Sequence, residues 1–280
     1  MDNTLGEFLR SRRAAIQPED VGLPPYGRRR VPGLRREEVA QLAGVSVDYY
    51  IRLEQGRGKN VSDAVLDAVA RVLRLDATEH AHLLALARPA HGTAPAPAPA
   101  HGGVRPGVQL LLDRMADCPA MVLDHRMNVL AWNALGDALH GFAAEPLRRN
   151  MPRLVFLDPQ APELFPDWAA VAADTVSYLR LGAGRHPDDA ALTALVGELS
   201  LGSEAFRRLW ADHLVREKTY GVKRINHPVA GELRLSYETL ALPGEPSRTL
   251  VAYTAPPGSP SADRLALLAS WSAPPRGVRP

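Results

Sequence analysis

The stretch Leu34–Arg57, LRREEVAQLAGVSVDYYIRLEQGR, constrains the fold of this chain more than any other. Val39, Leu42 and Ala43 recur at helical spacing and predict a short helix with one apolar face. Gly44 follows, and glycine accepts the left-handed conformation that ends a helix more readily than any residue with a Cβ. Val45 is expected to plug the gap before the next helix. Ser46 predicts that helix's start, because a serine hydroxyl accepts a hydrogen bond from a free amide of the first turn. At about 100° per residue, Tyr49, Tyr50, Leu53 and Glu54 fall on one side, and Val47, Asp48, Ile51 and Arg52 on the other. The first set carries most of the bulk and is expected to pack inward.

Two short helices at a glycine turn, the second with a free face, have the layout of a helix-turn-helix, whose second helix enters the major groove of DNA. On that reading Arg52 offers paired donors to guanine, and Ile51 or Val47 meets a thymine methyl. Asp48 accepts from cytosine or repels other sequences. The bland alternative is an ordinary helical hairpin, but cap, glycine, length and free face all agree. The flanks agree as well. Leu5, Phe8 and Leu9 form a stripe on a preceding helix that runs to about Ile16. Arg13 near its end is the expected partner of Glu54, a buried pair that would cost stability if halved; two solvated charges are the alternative. Ser62 caps a helix with Val65, Leu66, Val69 and Leu73 on one face. Asp76 and Glu79 stand at capping-box spacing and open a fifth helix that ends before Pro89. Residues 1–88 thus read as a compact all-α domain of five helices.

Net charge alone would not suggest a nucleic-acid partner. The chain carries 33 basic and 31 acidic side chains, a net of +2. Binding must rest on local clustering. Arg28, Arg29, Arg30, Arg35 and Arg36 lie close together in a loop and at the start of the second helix, where phosphate contact is favoured. Ser46, at the N-terminus of the reading helix, joins this phosphate group. The alternative is a solvated loop.

These residues carry a family resemblance. The segment 1–88 resembles the phage-repressor-like (XRE, Cro/C1-type) helix-turn-helix domains. GVSVDYYIRLEQGR, preceded by RRRVPGLRREEVAQLA, is similar more narrowly to the MmyB-like regulators of actinobacteria. The long connection that holds Pro24, Pro25, Tyr26 and Arg28–Arg30 departs from simple repressors and is shared with the narrower family. The resemblance implies a C-terminal PAS-like domain and a fatty-acid-like ligand.

Pro89–Gly107 reads PAHGTAPAPAPAHGGVRPG. Alternating Ala-Pro favours an extended spacer and has no apolar periodicity to bury, so 89–107 is a linker. The part beyond, 108–273, with a tail at 274–280, is mixed α and β. Helices are expected near Val108–Met115 and at Ala134–His140, Asp167–Leu181, Asp188–Leu199, Ser203–Leu214 and Ser261–Trp271. Strands are expected at Ala120–Leu123, Asn128–Trp132, Thr219–Asn226, Glu232–Leu240 and Arg248–Thr254. Two strands, helices, then three strands is the order of a PAS domain, in which helices cover one face of a five-stranded antiparallel sheet. The α+β class follows, with a pocket for an apolar ligand. Trp132, Asn133, Trp168, Arg180 and Tyr253 are its candidate lining, Arg180 as a bidentate carboxylate partner. For each of them a core or capping role is the bland alternative.

Other chemistry is poorly supported. The lone Cys118 excludes an internal disulfide and a thiolate zinc site of the usual kind. Gly182-Ala-Gly184 lacks the strand and third glycine of a dinucleotide loop, and no Gly-x-Ser-x-Gly occurs. No catalytic group, metal site or cofactor is expected. No signal peptide and no apolar run of membrane length appear, so a cytoplasmic protein with no membrane partner is expected. The leading reading is a homodimeric regulator that binds a double-stranded operator and responds to a small apolar ligand. The readings left open are a C-terminal domain that serves only dimerisation or protein contacts, and an enzyme domain fused to a helix-turn-helix.

Overall fold

A computed structural model describes residues 5–24, 33–57, 61–87, 103–213, 215, 219–245 and 247–272. Arg28–Arg30, Tyr26 and nearly all of the Ala-Pro stretch lie outside them. The chain divides into two compact units. The first comprises 1–93 together with 180–193 and 208–217; the second comprises 94–179, 194–207 and 218–280.

In the first unit five helices follow one another: α1 (Leu5–Ala15), α2 (Arg36–Ala43), α3 (Val47–Glu54), α4 (Asp63–Val72) and α5 (Ala77–Ala87). A single 3-10 turn, Pro18–Val21, follows α1. Phe8, Leu9, Leu34, Val39, Tyr50, Leu66, Val69 and Leu83 are wholly buried at its centre, with Leu181 and Val215 in the same cluster. The expected apolar face of α2 is only partly right. Val39 and Ala40 are buried, but Leu42 is 40% exposed. The core takes the side of α2 that holds 39, 40 and 43, and position 42 points away from it. Backbone close approach draws α1 onto α3. A Cβ added at Gly6 would lie 1.9 Å from the carbonyl oxygen of Glu54. Asp76 and Glu79 exchange side-chain-to-amide bonds at 2.8 and 3.1 Å and cap α5.

The second unit is built on an antiparallel five-stranded sheet of order β2-β1-β5-β4-β3. Its strands are β1 (Ala120–Asp124), β2 (Val129–Trp132), β3 (Tyr220–His227), β4 (Gly231–Ala241) and β5 (Arg248–Thr254). The helices of the chain's second half are α6 (Pro106–Arg114), α7 (Ala134–His140), α8 (Met151–Leu157), α9 (Ala161–Leu164), α10 (Trp168–Arg185), α11 (Ala190–Gly202), α12 (Glu204–Ala211) and α13 (Pro260–Ser272). Helix α6 begins inside the stretch read as linker, because Pro106 sits in a first turn where its missing N–H costs nothing. Its Val108 and Leu112 pack on Val122, Ala131 and Leu250, one face of the sheet.

The other face is set by register. Met121 pairs with Trp132 and Val251, Tyr237 with Tyr253, and Lys223 with Leu235. Residues directly opposite share a face, so these seven point the same way. Tyr178 of α10 hydrogen-bonds Thr249 from this side at 3.3 Å, so that helix covers it. Helices α8 and α9 were not expected. Their local signal is present: Asn150 caps α8 by accepting from the Arg153 amide at 3.1 Å, and a proline stands in the first turn of each.

A candidate nucleic-acid interface and a covered sheet face

The turn between α2 and α3 follows from its residues. Gly44 has φ 69° and ψ 30°, the left-handed region, and its amide bonds back to α2. Ser46 Oγ accepts from the Tyr49 amide at 3.1 Å and starts α3. That helix turns Tyr50, Leu53 and Glu54 inward, each at most 1% exposed. Val47, Asp48 and Arg52 are exposed, and Ile51 and Tyr49 are half-buried. The four candidate base-reading residues therefore share the outer side of one rigid helix. Arg52 Nε reaches back to the Asp48 carbonyl at 3.4 Å, which leaves its terminal nitrogens to the outside.

Glu54 locks the helix in place. Its Oε1 accepts from Arg13 Nη2 at 2.9 Å and its Oε2 from Arg36 Nε at 2.6 Å. Arg13 Nη1 also donates to the Leu34 carbonyl at 2.6 Å, so one guanidinium joins α1, the entry to α2 and α3. Burial pushes the Glu54 carboxyl up, but the hydrogen bonds from Arg36 and Arg13 outweigh it and hold it below the usual carboxylate range. Among the candidate phosphate contacts, Ser46 and Arg35 are exposed at the N-termini of α3 and α2. Arg36 is half-buried and committed to Glu54. The Arg36 link was not foreseen, since nothing at a separation of 18 residues marks two side chains as neighbours.

The candidate ligand residues divide. Trp132 and Tyr253 both lie on the covered sheet face. An aromatic chain joins them: Trp132 to Phe142 at 5.5 Å, Phe142 to His140 at 5.1 Å, His140 to Tyr253 at 5.7 Å, and Tyr253 to Tyr237 at 6.2 Å between centroids. Lys223 Nζ lies over Phe165 and Tyr237 at 5.8 and 5.6 Å.

The other three are engaged elsewhere. Asn133 caps α7: its Oδ1 accepts from Ala120 and Gly136 amides at 3.0 and 2.8 Å, and its Nδ2 donates to Met115 and Cys118 carbonyls at 2.7 Å each. Trp168 donates its ring N–H to the Val155 carbonyl at 2.9 Å and sets its ring edge-on to Phe156. Arg180 belongs to the first unit. It is wholly buried, stacks over Trp210 at 4.2 Å, and donates to His213 Nδ1 at 3.0 Å. Burial, then the Arg180 charge, lowers the His213 pKa to about 4, which fits a neutral ring that accepts.

A recess of about 320 Å3 opens behind His140, lined by Leu139, Leu164, His227, Val229, Leu268 and Trp271 among others. Among the described residues no group of three or more His, Cys, Asp or Glu is placed to hold a metal. No helix among them is long and apolar enough to cross a membrane.

Comparison with known families agrees with both halves. Residues 4–83 match the model described as a helix-turn-helix domain. Residues 104–268 match the model described as the MmyB-like transcription regulator ligand binding domain. No curated protein matches the chain. One chain thus joins a helix-turn-helix domain to a ligand-binding domain, and it belongs to the MmyB-like transcription regulators.

Proposed function

We propose that this regulator reads a specific operator through α3 and changes its affinity for that operator when a small apolar, fatty-acid-like molecule occupies the second unit. The observation that carries the reading is the outward set Val47, Asp48, Ile51 and Arg52 on a helix anchored by Glu54, in the same chain as a ligand-binding domain. Arg52 would take guanine and the two aliphatic residues thymine methyls, while Arg28, Arg29, Arg30, Arg35 and the amides behind Ser46 meet phosphates. Arg36 contributes charge from its place on Glu54.

Sheet order and helix cover support a PAS-like second domain, and the five-helix order supports an XRE-type first domain. Helix-turn-helix regulators of this layout bind as dimers to half-sites about one turn apart, so a homodimer on a near-palindromic operator follows. Trp132 and Tyr253 would bound the ligand on the sheet side. Asn133 and Trp168 would shape the surrounding scaffold. The regulator would work where DNA is, in the cytoplasm, without catalysis of its own.

Selection from a random DNA pool tests the first half: one enriched, near-palindromic sequence is expected, and no enrichment contradicts it. Mass spectrometry of organic extracts of the purified protein tests the second half: an enriched apolar acid is expected, and an extract free of any small molecule favours a C-terminal domain that serves only dimerisation or protein contacts.

A further inference from the structure

The first unit takes part of its core from far along the chain. Leu181 and Val215, 4% and 1% exposed, lie in one apolar cluster with Phe8, Leu9 and Leu83, although both fall inside the stretch 104–268 that matches the ligand-binding domain. Gly184 joins the same seam. A Cβ there would stand 2.5 Å from His82 Cε1, and His82 in turn sets its ring edge-on to Phe8 at 5.1 Å. Polar groups fasten the seam. Arg12 of α1 donates through Nη2 to the His213 carbonyl and through Nη1 to Glu79 at 2.7 Å, and Ser11 Oγ donates to the Asp212 carbonyl at 3.3 Å. Buried Arg180 donates to the Trp210 carbonyl and to His213 Nδ1, so the end of α10 and the segment 208–217 form one clasp on α1 and α5.

Two helices give this clasp its reach. Helix α10 runs unbroken from Trp168 to Arg185; its residues 168–179 belong to the second unit, where Tyr178 bonds Thr249 of β5, and the rest belong to the first. An α-helix bonds its interior amides within itself, so it moves as a rod and carries a shift of one end to the other. Helix α1 is the second. Its Ser11 and Arg12 hold the clasp, while the adjacent Arg13 holds Glu54 of α3 at 2.9 Å and Gly6 lies against the Glu54 carbonyl. One helix therefore meets both the clasp and the helix that carries the outward set.

We propose that the end of α10 and residues 208–217 are the device by which the second unit sets the operator affinity of the first. Seated on α1 and α5, they hold α1, and through Glu54 hold α3, in the DNA-binding arrangement; a shift of α10 changes that hold. The inference rests on the reading of the second unit as a regulatory ligand site, and names the path by which its occupant acts.

Fluorescence anisotropy of full-length native protein and variants on the selected operator tests it. Leu181→Ala is expected to raise the operator Kd at least about fivefold, in the range of ordinary allosteric coupling. Leu66→Ala, a truncation of the same kind at a wholly buried position of α4, is expected to raise it less than about twofold, both variants being held where circular dichroism shows them folded. If Leu181→Ala does not fold, Gly184→Ala, which removes nothing and pushes on His82, takes its place with the same expected result. An unchanged Kd in the clasp variant, or an equal loss in Leu66→Ala, overturns the inference. Saturating dodecanoate, as a probe of the apolar ligand, separates it from the reading beneath it. The probe is expected to shift the operator Kd of native protein at least about fivefold and that of the clasp variant less than about twofold. A full shift kept in the clasp variant overturns the clasp and leaves the regulatory site standing. No shift in native protein counts against the regulatory site, and the Kd values without probe still decide the clasp.

Discussion

Arg13 of α1 and Glu54 of α3 tie two helices of the first unit together, Nη2 to Oε1 at 2.9 Å, with the carboxylate side chain wholly buried. Glu54→Gln keeps the shape and removes the charge, leaving the Arg13 guanidinium, its side chain only 10% exposed, without a counter-ion. Breaking a buried pair from one side costs about 3–5 kcal/mol. Arg36 is 41% exposed and partly screened, so Arg36→Ala is expected to cost well under half as much. Urea unfolding of the three proteins checks the ranking; equal losses would contradict it.

Acid stability should fall in two stages. His82 and His140 are buried neutral, their pKa values lowered to about 4 and about 3, chiefly by burial. A histidine lowered from its ordinary value of 6.5 contributes stability that is complete above that pH and is lost as pH falls toward the folded value. Glu54, also lowered, contributes stability present above its ordinary 4.5 and lost below it. Melting temperature is expected to decline from about pH 6.5, with a steeper fall below about 4.5. His82→Leu should flatten only the first stage, and Glu54→Gln only the second. A Glu54→Gln profile that changes between pH 5 and 6.5 would contradict the assignment.

Gly6 sets the distance between α1 and α3. An added Cβ would stand 1.9 Å from the Glu54 carbonyl oxygen, which is backbone and has no free torsion to escape by. Gly6→Ala is expected to destabilise the protein by about 1–3 kcal/mol, as overpacking does, and to weaken operator binding by tilting α3. Alanine is otherwise the better helix former, so unchanged or raised stability would contradict the close approach.

Arg52 and the arginines before α2 should fail in different ways. Arg52→Ala is expected to cost about 1–3 kcal/mol on the selected operator and to relax preference at one base position. Arg28–Arg30→Ala should weaken binding to all sequences and flatten the salt dependence by about one slope unit per lost phosphate contact. Filter binding at several salt concentrations separates the two. Unchanged discrimination in Arg52→Ala would remove α3 from the reading role.

What was legible in the sequence is what local chemistry dictates. Gly44, Ser46 and the Asp76–Glu79 box act within a few residues of themselves, and each is found at its helix end. Alternation and turn residues located all five strands. Leu42 misled because helical spacing names a set of residues and leaves the choice of face to the neighbours. Gly6 and Arg36 left no mark, since each answers to Glu54 at a separation of 18 residues or more. Arg180 was read as a ligand group from its apolar neighbours in sequence; its partners, Trp210 and His213, come from a segment some 30 residues on. Nothing local marks His140, and only three-dimensional packing shows both its nitrogens unmatched.

The coupling between the two halves is the centre of the account, and one titration tests it most directly. Fluorescence anisotropy of labelled operator DNA, with native full-length protein and with or without saturating dodecanoate, reads both sites at once. The expected result is an operator Kd that differs by at least about fivefold between the two conditions, the lower end of ordinary allosteric coupling. Equal Kd values, with dodecanoate shown by calorimetry to be bound, would contradict it.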